Sequence, residues 1–158
     1  MPSVVPHTIP HQHTRASDVR AIRLPEGPVL VESLRLGVPS GDGRALDTLV
    51  ATLRDRAQGS PGYLGEVHVD RSDGHRRVVA LWRSPTDLRS FVHAAHPDLL
   101  SFRAATGVFP TVERTLWWSA EGAAGVTADE AERRAVHLRE HGPGARAFTL
   151  RSPVPVPA

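Results

Sequence analysis

The chain of 158 residues contains no cysteine and no lysine. The first absence excludes disulfides, iron–sulfur clusters, thiolate zinc sites and a cysteine nucleophile together. The second means that all 19 basic residues are arginine, set against 17 acidic ones. With one tyrosine besides, almost nothing titrates between about pH 8 and 12. A formal charge of only +2 therefore persists to high pH, and the sequence pI of 10.3 reflects missing buffers rather than a basic surface. The arginines are interleaved with acids, as in Arg54-Asp55-Arg56 and Glu132-Arg133-Arg134, which is the pattern of a solvated helix face. No basic stripe or nucleic-acid motif is present, and the sequence points away from a nucleic-acid partner. Nor does any segment approach the roughly 18 apolar residues of a membrane span. Prolines and histidines stand where a signal peptide needs a charged region and an apolar run. The expectation is a cytoplasmic protein with no membrane partner. No serine elbow, phosphate loop, dinucleotide fingerprint or zincin motif occurs.

What the chain does have is concentrated. Residues 78–118 hold Trp82, Phe91, Phe102, Phe109, Trp117 and Trp118, six of the eight aromatic side chains, together with His93 and His96. Aromatic walls with a few ionisable groups suit a small-molecule pocket, and they suit a hydrophobic core equally well.

Three regions are expected: an arm over 1–28, a domain over 29–151 and a tail over 152–158. The arm carries Pro2, Pro6, Pro10, Pro25 and Pro28 with little periodicity, and reads as poorly ordered. His7, His11 and His13 lie in it without a carboxylate among them and read as solvated rather than metal-ligating. Val29 to Gly37 alternates as a half-buried strand does. Arg44 to Gln58 sets Leu46, Leu49, Val50 and Leu53 on one helical stripe, with Asp42 as the expected cap. Tyr63–Asp70 and His75–Arg83 read as two strands joined through Asp73-Gly74, a strong hairpin signal. The period of two places Glu66 and His68 on one face of the first of them.

Ser84 and Pro85 open the next helix. Leu88, Phe91, Val92, Ala95, Leu99 and Phe102 form its apolar face, and Pro97 predicts a break beside His96. His96 is then expected at the edge of the buried stripe. Val112 to Ser119 reads as a strand whose neighbours Trp117 and Trp118 must face opposite sides. Thr127 with Glu130 forms a capping box for a last helix to about His141. A short strand over 147–151 and an extended, structurally undemanding tail follow. The order predicts an α+β fold, a ferredoxin-like antiparallel sheet with helices on one face. Its other face also carries apolar residues, and packing against a second copy is the expected cover.

The runs Leu116-Trp117-Trp118, Thr127-Ala128-Asp129-Glu130-Ala131, Leu138-Arg139-Glu140-His141-Gly142-Pro143 and Ala147-Phe148-Thr149 resemble a small bacterial family of unassigned function. That family lies in the dimeric α+β barrel superfamily, near antibiotic-biosynthesis monooxygenases and spheroidene monooxygenase-like proteins. The resemblance covers roughly residues 29–151. It implies a homodimer with a substrate between helices and sheet. The activities it implies are cofactor-free oxygenation of phenols, polyketide cyclisation and haem chemistry. The segment Phe91 to His96 resembles the helix that presents a haem-ligating histidine in haem-degrading members, and His96 then stands at the ligand position.

His96 is the candidate catalytic residue. An imidazole with an ordinary pKa near 6.5 can take a proton from a phenol or enol, or ligate iron when neutral. Trp82, Phe91, Val92, His93, Phe102, Trp117, Trp118 and His68 are the candidate substrate-binding residues. Arg83 and Arg114 are candidates for holding an anionic group. His137 and His141, four apart, resemble a two-ligand metal face but also simply complement a helix dipole. The expected function is a monooxygenase without cofactor, or a cyclase, acting on an aromatic or polyketide-like molecule. Haem on His96 is the alternative, and a non-catalytic ligand-binding dimer is the alternative of another class.

Overall fold

The computed structural model describes residues 24–39 and 41–158. His7, His11 and His13 lie outside the described residues. Within them the order is β1 (Val29–Gly37), α1 (Gly43–Gln58), β2 (Tyr63–Ser72), β3 (His75–Trp82), α2 (Pro85–Ala94), α3 (His96–Thr106), β4 (Thr111–Ser119) and α4 (Ala128–His141).

Local chemistry explains most boundaries. The Ser84 hydroxyl accepts the Asp87 N–H at 3.2 Å, and Pro85 fills the first turn of α2 where no backbone donor is needed. The Thr127 hydroxyl likewise accepts the Glu130 N–H at 3.1 Å. Asp42 does stand at the start of α1, but its side chain makes no capping hydrogen bond. Gly74 takes φ +71° in the tight turn between β2 and β3, a conformation open to glycine at little cost. At Pro97 one helix becomes two: α2 ends at Ala94 and α3 restarts at His96.

All neighbouring strands are antiparallel, in the order β2-β3-β1-β4. This is the ferredoxin-like arrangement, with α1, α2 and α3 on one face. That face buries Leu30, Leu34, Leu36, Ala80, Trp82 and Leu116 against Leu46, Leu49, Leu53, Leu88, Phe91 and Phe102 from the helices. Each leucine or phenylalanine among them contributes roughly 1.5–3 kcal/mol when fully buried. Phe148 joins the same core although no regular strand forms there. It is held to Leu116 by a pair of backbone hydrogen bonds of 2.8 and 3.0 Å.

The opposite face is covered from within the chain. Val29, Val31, Val79, Leu81 and Trp117 pack with Val126 and Ala131, and so against α4 and the loop before it. The Arg77 guanidinium reaches from β3 to the Glu132 carboxylate and the Ala128 carbonyl of α4. The uncovered face that called for a second copy is therefore largely occupied by the chain's own last helix. Nor is the tail undemanding: the Trp118 indole N–H donates to the Val154 carbonyl at 2.8 Å.

β2 departs from simple alternation. Register shifts fall between Tyr63 and Gly65 and between Glu66 and His68. Each inserts one extra residue, and after it every side chain changes face.

Candidate functional site

The most enclosed polar centre lies between the sheet and α1–α2. It begins with Glu32, which β1 places on the same face as Leu30, Leu34 and Leu36. The residue is only 4 % exposed. A carboxylate in such a position must find donors, because burying it unpaired is costly. Glu32 finds two: the Trp82 indole N–H at 3.1 Å on Oε1 and the Arg114 Nε–H at 2.7 Å on Oε2. Trp82 arrives from β3 and Arg114 from β4, so three strands build this centre.

Over Glu32 sits an apolar hollow walled by Leu34, Leu53, Val78, Ala80, Trp82 and Phe91, with Tyr63 and Arg54 also lining it. Trp82 packs on Phe91 with ring centroids 5.2 Å apart, and against Tyr63 edge-on at the same distance. The free space is about 20 Å³, room for roughly one water. Arg54 lies partly exposed and chelates Glu66 through bonds of 2.6 and 2.8 Å. Burial pushes the Tyr63 phenol up to about 12, with Glu66 and Glu32 adding to the rise and Arg54 opposing it. The Tyr63 hydroxyl thus stays a donor throughout the physiological range.

Of the residues singled out from sequence, Trp82 and Phe91 meet in this hollow. Val92 is partly buried against the same core, and Phe102 is buried there but opens onto a separate groove between α1 and α3. Trp117 and Trp118 do face opposite sides. Trp118 packs on the helix-side core under the C-terminal tail, whereas Trp117 lies on the α4 side with the Arg134 guanidinium 5.4 Å from its ring. His93 and His96 are both exposed. Extrapolating the α2 stripe to His96 fails because the helix breaks first: Ala95 takes the buried position, and His96 starts α3 with its ring outward. His96 lines none of the cavities described here.

His68 is also apart. The second bulge of β2 sets it opposite Val79, on the α4 face, while Glu66 stands opposite Ala80 on the helix face. The two do not share a face, and His68 bonds Asp70 at 3.0 Å instead. Arg114 binds Glu32, and Arg83 pairs with Asp87. His137 and His141 stack at 4.3 Å, and no group of three or more ligating side chains occurs among the described residues. The residues do not fit a haem: the only histidine assigned to its iron faces solvent, and the hollow is far too small.

Glu32 and Tyr63 were not singled out from sequence. The signal for Glu32 was present, since it is the one acid among Leu30, Leu34 and Leu36 on one face of an alternating strand.

Several solved structures are similar to this chain. SnoaB, a cofactor-independent oxygenase from Streptomyces nogalater, shares 16% identity over 62% of this chain and 98% of its own, with a TM-score of 0.47. A protein of Nitrosomonas europaea, provisionally named an antibiotic biosynthesis monooxygenase, shares 12% over 66% and 99%, with a TM-score of 0.47. MupZ from Pseudomonas fluorescens shares 10% over 80% and 87%, with a TM-score of 0.45. Likeness of this degree is silent on chemistry. No curated protein matches the sequence. A family model does match it, over residues 45–158, and the family is one of unassigned function, as the sequence resemblance implied: the chain belongs to the DUF3291 family, a domain of unknown function.

Proposed function

We propose that the protein is a small-molecule enzyme of the monooxygenase or cyclase kind, acting without a cofactor on an aromatic or polyketide-like substrate at the hollow above Glu32. The observation that supports this reading is a buried carboxylate at the floor of an apolar, aromatic-walled hollow. Trp82 and Arg114 each use one lone-pair direction of the carboxylate, and its remaining acceptor capacity is free for a substrate proton. Trp82 and Phe91 would wall the substrate ring. Glu32 would accept the proton of its phenol or enol. The electron-rich anion left behind is the species that passes an electron to dioxygen, or that closes a ring.

As folded, the hollow admits no such molecule. Entry requires the outer wall, Tyr63 and the Arg54–Glu66 pair, to swing outward. Tyr63 and Arg54 are polar members of the lining that reach solvent, and Glu66 holds Arg54 from outside it. Oxygen uptake by the full chain with anthrone-type phenols tests the reading. Saturable uptake is expected, lost in a folded Glu32→Gln variant and retained in His96→Ala. Uptake that survives Glu32→Gln sinks the assignment.

The small volume favours a second reading, in which Glu32, Arg114 and Trp82 are a structural ion-pair network in a non-catalytic protein. Under it, Glu32→Gln costs stability, and no aromatic ligand binds saturably to the wild type.

A further inference from the structure

On the opposite side of the sheet α4 carries a cluster of charged side chains. Glu130, Arg133, Arg134 and His137 recur at intervals of three and four, and so share one helical face. With Arg146 from the segment after α4 they line a concavity of about 330 Å³. Its only carboxylate, Glu130, is already engaged by Arg134 through Nε at 3.2 Å and Nη2 at 2.8 Å. Arg134 is fixed twice more, by donating to the Arg146 carbonyl at 2.7 Å and by lying over the Trp117 ring. It acts as a rigid post.

Among the described residues nine arginines pair with carboxylates, namely Arg54, Arg56, Arg71, Arg76, Arg77, Arg83, Arg114, Arg134 and Arg139. Arg133 and Arg146 make no ion pair or side-chain hydrogen bond among the described residues, and both face one hollow beside an imidazole. Concentrated positive charge in a concavity raises the local concentration of anions. Two free guanidinium forks and an imidazole offer more donors than one carboxylate can use, and suit a tetrahedral oxyanion of two charges.

We propose that this hollow is a binding site for the phosphate group of a small molecule, with Arg133 and Arg146 as its ligands, His137 as a further donor and Arg134 as the positioning residue. The field there already acts on His137. Its pKa lies below the ordinary value, first through desolvation and then through His141, Arg146 and Arg134, with Glu140 opposing. A bound dianion reverses that balance. The lining is one compact group of side chains rather than a stripe, which favours a single charged group over a nucleic-acid backbone.

The test is calorimetric titration of the full chain at low salt with inorganic phosphate and with pyrophosphate. It is repeated on the double variants Arg133→Ala/Arg146→Ala and Arg44→Ala/Arg151→Ala. The second pair removes the same charge from exposed positions elsewhere. Saturable binding is expected in the wild type, weakened by roughly tenfold or more in the first variant and by less than about twofold in the control. The His137 ring resonances followed by NMR should titrate at higher pH when pyrophosphate saturates the protein. Absence of saturable binding, equal loss in both variants, or a His137 titration blind to pyrophosphate overturns the proposal. Tight binding of a DNA or RNA oligonucleotide with no phosphate binding also overturns it, in favour of a nucleic-acid surface.

Discussion

The indole N–H of Trp82 and the carboxylate of Glu32 meet at 3.1 Å although β3 and β1 pair them with other residues, Leu30 and Ala80. The contact is diagonal, and it lets the largest buried side chain of the helix-side core satisfy one oxygen of its most buried acid. Arg114 satisfies the other.

Removing Glu32 leaves both donors stranded. Glu32→Ala should destabilise the fold by about 2–4 kcal/mol, since breaking a largely buried pair exposes the remaining charge to a poor solvent. Arg114 is 19 % exposed and can partly rehydrate, which argues for the lower half of that range. Urea unfolding measures it. A loss under about 0.5 kcal/mol would mean the centre contributes nothing net.

Coupling between the two residues can be isolated. In a double-mutant cycle with Trp82→Phe and Glu32→Leu, the interaction energy should be about 1 kcal/mol, the net value of one buried hydrogen bond. Strict additivity of the two single losses would refute the contact.

The acid limb of stability should come partly from Asp47 and Glu132. A hydrogen bond from Arg76 holds the first carboxyl below its ordinary value of 3.8, and one from Arg77 does the same for the second against 4.5. In each case the unfolded chain binds the proton more readily. The stabilisation is therefore complete above those ordinary values and is lost as pH falls through the lowered ones. Asp47→Asn/Glu132→Gln should flatten the fall of the urea midpoint below about pH 4.5. A fall as steep as that of the wild type would place the acid sensitivity elsewhere.

His137 predicts a second pH window. Its pKa is depressed from 6.5, so folding favours the neutral ring. Its stabilising share is present above that value and declines as pH drops through the folded one. His137→Asn should narrow the difference in Tm between about pH 7 and 5. The sign reverses if the ring is in fact protonated in the native state.

Deleting residues 152–158 should uncover Trp118. The tail supplies the acceptor for its indole, and Val154 packs on the core beneath. A loss of about 1–2 kcal/mol and a red-shifted fluorescence maximum are expected. Unchanged emission would show that the tail does not cover the ring.

Much of this architecture could be read in advance, because its causes are local. β1 was expected over the residues it occupies, the Asp73-Gly74 turn closed the expected hairpin, and Ser84 and Thr127 capped the expected helices. Trp117 and Trp118 split between faces because a strand leaves them no choice. What could not be read was set by tertiary packing. Two bulges in β2 overrode the period that put Glu66 beside His68, and nothing short-range marks them except Gly65. The break at Pro97 was foreseen, but not the new direction of the helix after it, which turned His96 to solvent. Asp42 had the right identity for a cap and the wrong geometry. Glu32 was visible as an acid among leucines; only the arrival of Trp82 and Arg114 from distant strands made it a centre.

The placement of α4 bears on how the protein comes to exist. The helix that shelters Val29, Val31, Val79, Leu81 and Trp117 follows all four strands in the chain, and so is synthesised after them. Until it leaves the ribosome, a nearly finished sheet displays an oily side to water, at translation speeds of about 5–20 residues per second. Chains stalled before Ala128 are then natural clients for holdase chaperones, and release should coincide with the emergence of Ala131.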